Sequence, residues 1–216
     1  MSTLVLARKT VRTWKALGAP GRAASVLAFG SPGLNLARAA RELLEPEALT
    51  VMHAEPAPPR VPFDVTPETL AGLAATRPGA FDLILAGGGL DAGSLGRIRD
   101  DLVHAAALLA PRGVLALAVD TLGAPDAGGG VDAVLFPHLS WRGDLDETPR
   151  ALLPAASWML LFRSLDLDVH AAQGFGAQGV PANVLDRHAG RLEIYDRDEL
   201  MTGRLHLIIR KREERA

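Results

Sequence analysis

The side chains and turns able to do chemistry in this chain gather in three places. The first is a glycine turn, where the short apolar run Ser25-Val26-Leu27-Ala28-Phe29 stops at Gly30, and Gly30 and Gly33 bracket Ser31-Pro32. Serine is a preferred helix cap and proline fits the first helical position, so a strand, a turn and a helix N-terminus should follow one another there. Unpaired backbone N–H groups and the helix dipole make such a junction hospitable to an anionic group. The second place is Gly87-Gly88-Gly89, directly after Phe81-Asp82-Leu83-Ile84-Leu85-Ala86. Consecutive glycines are costly in backbone entropy and mark a point where something approaches closely. The third is Phe136-Pro137-His138-Leu139-Ser140-Trp141-Arg142. It combines an imidazole able to act as a general base, two aromatic faces and a cation, a mixture suited to a small, partly aromatic ligand.

Composition removes other chemistries. The chain has no cysteine, which excludes disulfides, thiolate zinc sites and cysteine nucleophiles together. Its histidines and carboxylates show no ligand spacing along a helix, so no metal site is read. His104 sits among Ala and Leu of a helical stretch and reads as structural. Formal net charge is −2, from 23 basic and 25 acidic residues, which gives no field for nucleic acid or an anionic membrane. No stretch approaches the roughly 20 apolar residues of a membrane span, and the N-terminal charges follow the few apolar residues there, unlike a secretory signal. The expectation is a cytoplasmic protein with a small-molecule partner, with a homo-oligomer left open.

The elements that must position these groups follow from periodicity. The 216 residues suffice for one sizeable core, and no linker splits them. Residues 1–22 form a helical extension, read either as a packing or dimer-edge helix or as a flap; residues 23–216 form the main domain. Leu49-Thr50-Val51-Met52-His53 is a second strand and the proline-rich stretch 55–60 a loop at its end. Residues 61–65 make a short third strand. Thr66-Pro67-Glu68-Thr69 reads as a cap, first-turn proline and capping acid for a helix through Leu70 and Leu73. The run 81–86 is a buried strand, 95–109 a helix stopped by Pro111-Arg112-Gly113, and 114–119 a central strand ending at Asp120. Residues 121–150, rich in Gly, Pro and Asp, form a lid or insert. A helix over 155–165 and strands at 167–171 and 204–210 close the chain, the last two forming an antiparallel pair around a polar excursion. Alternating strands and helices imply a doubly wound, mostly parallel α/β sheet, with its ligand site at the strands' carboxyl ends near Gly30, His53, Val65, Gly87 and Asp120.

The order of elements and three phrases resemble the class I S-adenosylmethionine-dependent methyltransferase family. Val26-Leu27-Ala28-Phe29-Gly30-Ser31-Pro32-Gly33 resembles its glycine-rich first motif, Phe81-Asp82-Leu83-Ile84-Leu85-Ala86 its fourth-strand phrase, and Leu108-Leu109-Ala110-Pro111-Arg112-Gly113-Val114-Leu115 its approach to the fifth strand. The resemblance implies a Rossmann-like sheet with an antiparallel C-terminal strand, and S-adenosylmethionine as cofactor. It places Gly30 and Gly33 beside the cofactor, and Gly87 and Gly88 beneath its sulfonium. His53 falls nearest the acid that holds the ribose, with Glu55 two residues on as a substitute, and Asp64 falls where the adenine amino group is met. The first motif departs from the family: Ala28 stands in an acidic position, one glycine is missing and Pro32 removes a donor. Structural readings stand beside each: tight turns for Gly30 and Gly33, a strand-end residue for His53, a solvated loop for Glu55, a turn cap for Asp64.

In-line methyl transfer needs alignment above all, with a base for hydroxyl acceptors. His138 is the candidate base, and Phe136, Trp141 and Arg142 the candidate acceptor contacts. The leading reading is a methyltransferase acting on a small molecule. A methyltransferase-like binding or scaffolding subunit without cofactor is the alternative. A nicotinamide-linked oxidoreductase ranks third, because the GxGxxG turn is absent.

Overall fold

The computed structural model describes residues 3–30, 33–53, 61–88, 90, 95–121, 153–175, 182–187, 189–193 and 196–212. In chain order these give α1 (Thr3–Ala16), β1 (Ser25–Phe29), α2 (Gly33–Leu44), β2 (Ala48–Met52), β3 (Asp64–Thr66), α3 (Leu70–Thr76), β4 (Phe81–Gly87), α4 (Leu95–Leu108), β5 (Leu109–Asp120), α5 (Ala155–Ser164), β6 (Leu167–Phe175), α6 (Ala182–Arg187), α7 (Ala189–Leu192), α8 (Arg197–Met201) and β7 (Arg204–Lys211). The strands make one seven-stranded sheet in the order β3-β2-β1-β4-β5-β7-β6. β1, β2, β3, β4 and β5 run parallel to one another, whereas β7 is antiparallel to both β5 and β6. The chain therefore has a doubly wound, Rossmann-like α/β fold with an antiparallel C-terminal strand.

The near-continuous apolar runs are strands because both faces of the sheet are covered. Along β5, Leu115, Leu117 and Val119 join a cluster with Ile98, Leu102, Trp158 and Phe162 of α4 and α5. Val114, Ala116 and Ala118 point the other way, into a cluster with Val11 and Trp14 of α1 and Leu36, Ala37 and Leu44 of α2. α1 is thus part of the second core layer: Trp14 is fully buried and its indole N–H donates to the Leu117 carbonyl at 3.2 Å. Among the described residues no helix is long and apolar enough to cross a membrane.

Four local expectations shift. β3 begins at Asp64, three residues later than the apolar pattern 61–65 suggested, and it lies at the sheet's edge, exposed or half-buried throughout. The cap of α3 is Thr69, whose Oγ1 accepts from the Gly72 N–H at 3.2 Å; Thr66 ends β3, and its hydroxyl accepts from the Glu68 N–H at 3.3 Å. Pro111-Arg112-Gly113 does not separate α4 from a later strand but lies within β5, in an irregularity where the pairing jumps from Phe81↔Leu109 to Leu83↔Val114. A bulge accommodates proline in a strand because it needs no ladder N–H there. The polar excursion before β7 contains three short helices. Ser31 and Pro32 lie outside the described residues, and α2 starts at Gly33.

Candidate ligand cleft

From β1 the chain moves outward to β2 and β3, then returns to place β4 on the other side of β1. The crevice at this reversal, outside the carboxyl ends of the strands, is where open α/β sheets take ligands. A cleft of about 320 Å³ lies there, lined by Phe29 and Gly30 from β1 and its turn, Met52 and His53 from the end of β2, residues 67–70 from the β3–α3 junction, Leu90 after β4, and Arg97 and Asp101 of α4. Phe29, Leu70 and Leu90 are buried core residues. The walls are therefore apolar, and His53, Glu68, Thr69, Arg97 and Asp101 supply polar groups, the pattern of a small-molecule site at the lower end of the usual range of about 300–1,000 Å³.

His53 is half-buried and its backbone N–H donates to the Thr66 carbonyl at 2.9 Å, extending the β2–β3 ladder by one rung. Asp101 and Arg97 sit one helical turn apart with 3.8 Å between Nε and Oδ2. Burial pushes the Asp101 carboxyl above the usual carboxylate range; Arg97 and His104 pull it back, and Asp100 adds to the rise. Asp101, 27% exposed, presents a carboxyl to the cleft that can accept a ligand's N–H or O–H groups.

Gly30 has φ +86° and Gly88 φ +92°, conformations that favour glycine. A Cβ on Gly30 would stand 1.9 Å from the Gly88 carbonyl oxygen, so the β1–α2 turn and the turn after β4 touch backbone to backbone. Gly33 closes the first turn by donating its N–H to the Gly30 carbonyl at 2.5 Å. At Gly33 a Cβ would meet Met52 O at 3.6 Å and Val51 Cγ1 at 3.9 Å, so a methyl fits there and a branched side chain would press on β2. The glycine requirement at Gly30 is met by the chain's own backbone.

Of the site residues expected from sequence, the fold brings Gly30 and His53 into the cleft wall, with Gly88 against Gly30 and Gly87 ending β4. Gly33 stands behind the turn. Asp64 does not line the cleft: it opens β3 opposite Thr50, two residues before the strand's carboxyl end, and is exposed. Glu55, Phe136, His138, Trp141 and Arg142 lie outside the described residues. The segment that carries the last four leaves β5 at a firmly tied point: Asp120 accepts from Arg204 Nε at 2.7 Å, the Thr121 hydroxyl donates to the Thr202 carbonyl, and the Thr121 N–H donates to the Gly203 carbonyl at 3.1 Å. Sequence reading missed Arg97 and Asp101, because an i,i+4 pair on a helix looks the same whether it faces solvent or a crevice. Glu68 was read as a cap and instead lines the cleft. Among the described residues no group of His, Asp or Glu is arranged to hold a metal.

The strand order and its reversal at β1 belong to a fold shared with solved S-adenosylmethionine-dependent methyltransferases. No protein-family model and no curated protein matches the sequence. Solved structures match over nearly the whole chain. The Burkholderia thailandensis 1,6-didemethyltoxoflavin-N1-methyltransferase, solved with 1,6-didemethyltoxoflavin and S-adenosylhomocysteine, is 17% identical across 98% of this chain and 79% of its own, with a TM-score of 0.60. A methyltransferase from Archaeoglobus fulgidus is 11% identical across 97% of this chain and 95% of its own, with a TM-score of 0.62. The [4+2]-cyclase SpnF is 15% identical across 95% and 80%, with a TM-score of 0.59. At these identities the likeness is one of fold, and the cyclase shows that the fold is not tied to one reaction.

Proposed function

We propose that this chain is an S-adenosylmethionine-dependent methyltransferase acting on a small molecule, with the nucleoside of the cofactor in the cleft beside Gly30. The observation that carries this reading is the cleft itself: apolar walls from Phe29, Leu70 and Leu90 beneath a polar rim, at the reversal of strand order. These residues fit a nucleoside, whose flat base suits the walls and whose hydroxyl and amino donors suit the carboxylates of Glu68 and Asp101 and the imidazole of His53. When bound, the cofactor supplies an electrophilic methyl group on a sulfonium. The chain's part is to orient and to exclude water: Gly30 and Gly88 fix the floor, and His53, Glu68 and Asp101 accept hydrogen bonds. On the acceptor side, Phe136, Trp141 and Arg142 would hold the substrate and His138 would take the proton of a hydroxyl nucleophile. The working compartment proposed is the cytoplasm, in keeping with a chain without cysteine.

One observation favours the second reading, a methyltransferase-like binding or scaffolding subunit: the close packing of Gly30 on Gly88 explains that glycine without any cofactor. Parallel calorimetric titrations with S-adenosylmethionine, S-adenosylhomocysteine and NADH separate the possibilities. Saturable heat with the first two and none with NADH is expected. Silence with both adenosyl compounds moves the scaffolding reading ahead, and heat with NADH alone would point to an oxidoreductase.

A further inference from the structure

The charged groups of the cleft stand on one wall of it. Glu68 from the β3–α3 junction and Arg97 and Asp101 from α4 make that wall, whereas β1 and its turn contribute Phe29 and Gly30, and the end of β2 contributes Met52 and His53. Below the turn the strand ends are apolar. Val51, Ala28 and Leu85 lie abreast on β2, β1 and β4, each 0% exposed, and Phe29 lies beside Ala86. β4 then ends at Gly87 and is followed by Gly88, neither with a side chain to offer.

The start of α2 adds little for a charged group. A helix N-terminus takes an anion through backbone N–H groups that have no acceptor within the helix. Here Pro32 has no N–H, and the Gly33 N–H already donates to the Gly30 carbonyl at 2.5 Å, closing the turn on itself. Asn35, in the first turn of α2, donates its side-chain amide to Thr3 Oγ1 of α1 at 2.9 Å. Arg97 has Asp101 beside it one turn on, at 3.8 Å.

S-adenosylmethionine and S-adenosylhomocysteine carry adenosine at one end and a zwitterionic amino acid at the other. The amino-acid tail needs a carboxylate for its ammonium, and N–H groups or a cation for its own carboxylate. Taking either charge out of water without such a partner costs more than leaving it there. On the reading of the cleft as the nucleoside site, we propose that this chain holds its adenosyl ligand by the nucleoside alone, with the amino-acid tail in solvent, so that neutral thioadenosines lacking the tail occupy the cleft as readily as S-adenosylhomocysteine does. The base packs against Phe29, Leu70 and Leu90, and its amino group and the ribose hydroxyls donate to Glu68 and Asp101, hydrogen bonds strengthened by the charge on the acceptor. Size agrees with this: about 320 Å³, at the lower end for ligand pockets, suits a base and its sugar better than the same pair with an amino acid attached.

The test is calorimetry on the full chain with three probes. They are S-adenosylhomocysteine, 5′-methylthioadenosine, which is the same nucleoside thioether with the tail cut back to a methyl group, and L-methionine, a tail without a nucleoside. The two thioethers should compete with each other and differ in dissociation constant by less than about tenfold, and L-methionine should give no heat. Two charge-assisted partners for the tail would separate the thioethers by about a hundredfold or more. Glu68→Gln should weaken both thioethers by the same factor, about tenfold, with circular dichroism unchanged. A larger preference for S-adenosylhomocysteine, saturable binding of L-methionine, thioethers that do not compete, or a Glu68→Gln loss confined to one of them would overturn the proposal and leave the methyltransferase reading standing. Silence with both thioethers would overturn the proposal and that reading together.

Discussion

At the amino ends of β1 and β4 the Asp82 carboxylate accepts from the Ser25 N–H at 3.0 Å and the Ser25 hydroxyl at 2.9 Å, while the Asp82 N–H is 3.1 Å from the same hydroxyl oxygen. Nearby, Lys211 Nζ donates to the Leu109 carbonyl at 2.8 Å and Gly113 is wedged against Phe81 O and Ala110. At the carboxyl ends of the same strands the contact is bare backbone, Gly30 on Gly88, and a cleft opens beside it. One end is stitched shut by side chains and the other borders an open cleft. Gly30 and Gly113 both lack room for a side chain, Gly30 the more severely, yet only Gly30 adjoins the cleft, so a crowded glycine is no signature of a binding site.

The largest effect that would sharpen this contrast is expected from Gly30→Ala. A left-handed φ forced on alanine costs about 1–2 kcal/mol and the overlap with Gly88 O about 1–3 more, so urea denaturation should show a loss of about 3 kcal/mol together with lost response to S-adenosylhomocysteine. Next comes acidification. His206 has a folded value of about 4 against an ordinary 6.5, so the unfolded chain binds the proton first; stability is whole above pH 6.5 and falls as pH drops from 6.5 through about 4. The loss approaches about 3 kcal/mol, and His206→Gln should remove that component of the pH profile. Gly113→Ala, at the stitched end, should lower stability by about 1–3 kcal/mol without altering ligand affinity in the folded fraction; weakened binding there would break the division between the two ends. Glu68→Gln and His53→Ala should do the reverse, weakening S-adenosylhomocysteine about tenfold by calorimetry, close to 1.4 kcal/mol, with an unchanged melting temperature for the free protein. The smallest effect belongs to Gly33→Ala, within about 0.5 kcal/mol, since the methyl has room and alanine is the better helix former.

The sequence made the stitched, central part of the sheet legible and left the cleft largely hidden. β1, β4 and β5 announce themselves as apolar runs because both faces are covered, and the glycines after β1 and β4 marked the correct strand ends. β3 was misplaced because Asp64, Val65 and Thr66 form a three-residue edge strand with no buried side chain to set a period. Thr66 and Thr69 are equivalent caps in a string, and only the position of the strand decides between them. Glu68, Arg97 and Asp101 meet across α3 and α4 some thirty positions apart, and no local pattern records that meeting.

The interior position of β7 carries a consequence for how the chain is made. β6 precedes β7 in sequence yet, among the described residues, pairs with it alone, outside it in the sheet. As the polypeptide leaves the ribosome, the parallel strands can assemble outward from β1 to β5, but β6 has no rung to join until residues 204–211 have emerged and docked on β5. Until then the edge of β5 and all of β6 are open to wrong partners, the condition in which nascent chains aggregate or need a chaperone. A released chain truncated before residue 204 should therefore have β6 sensitive to protease, and extending it past residue 211 should confer protection in one step.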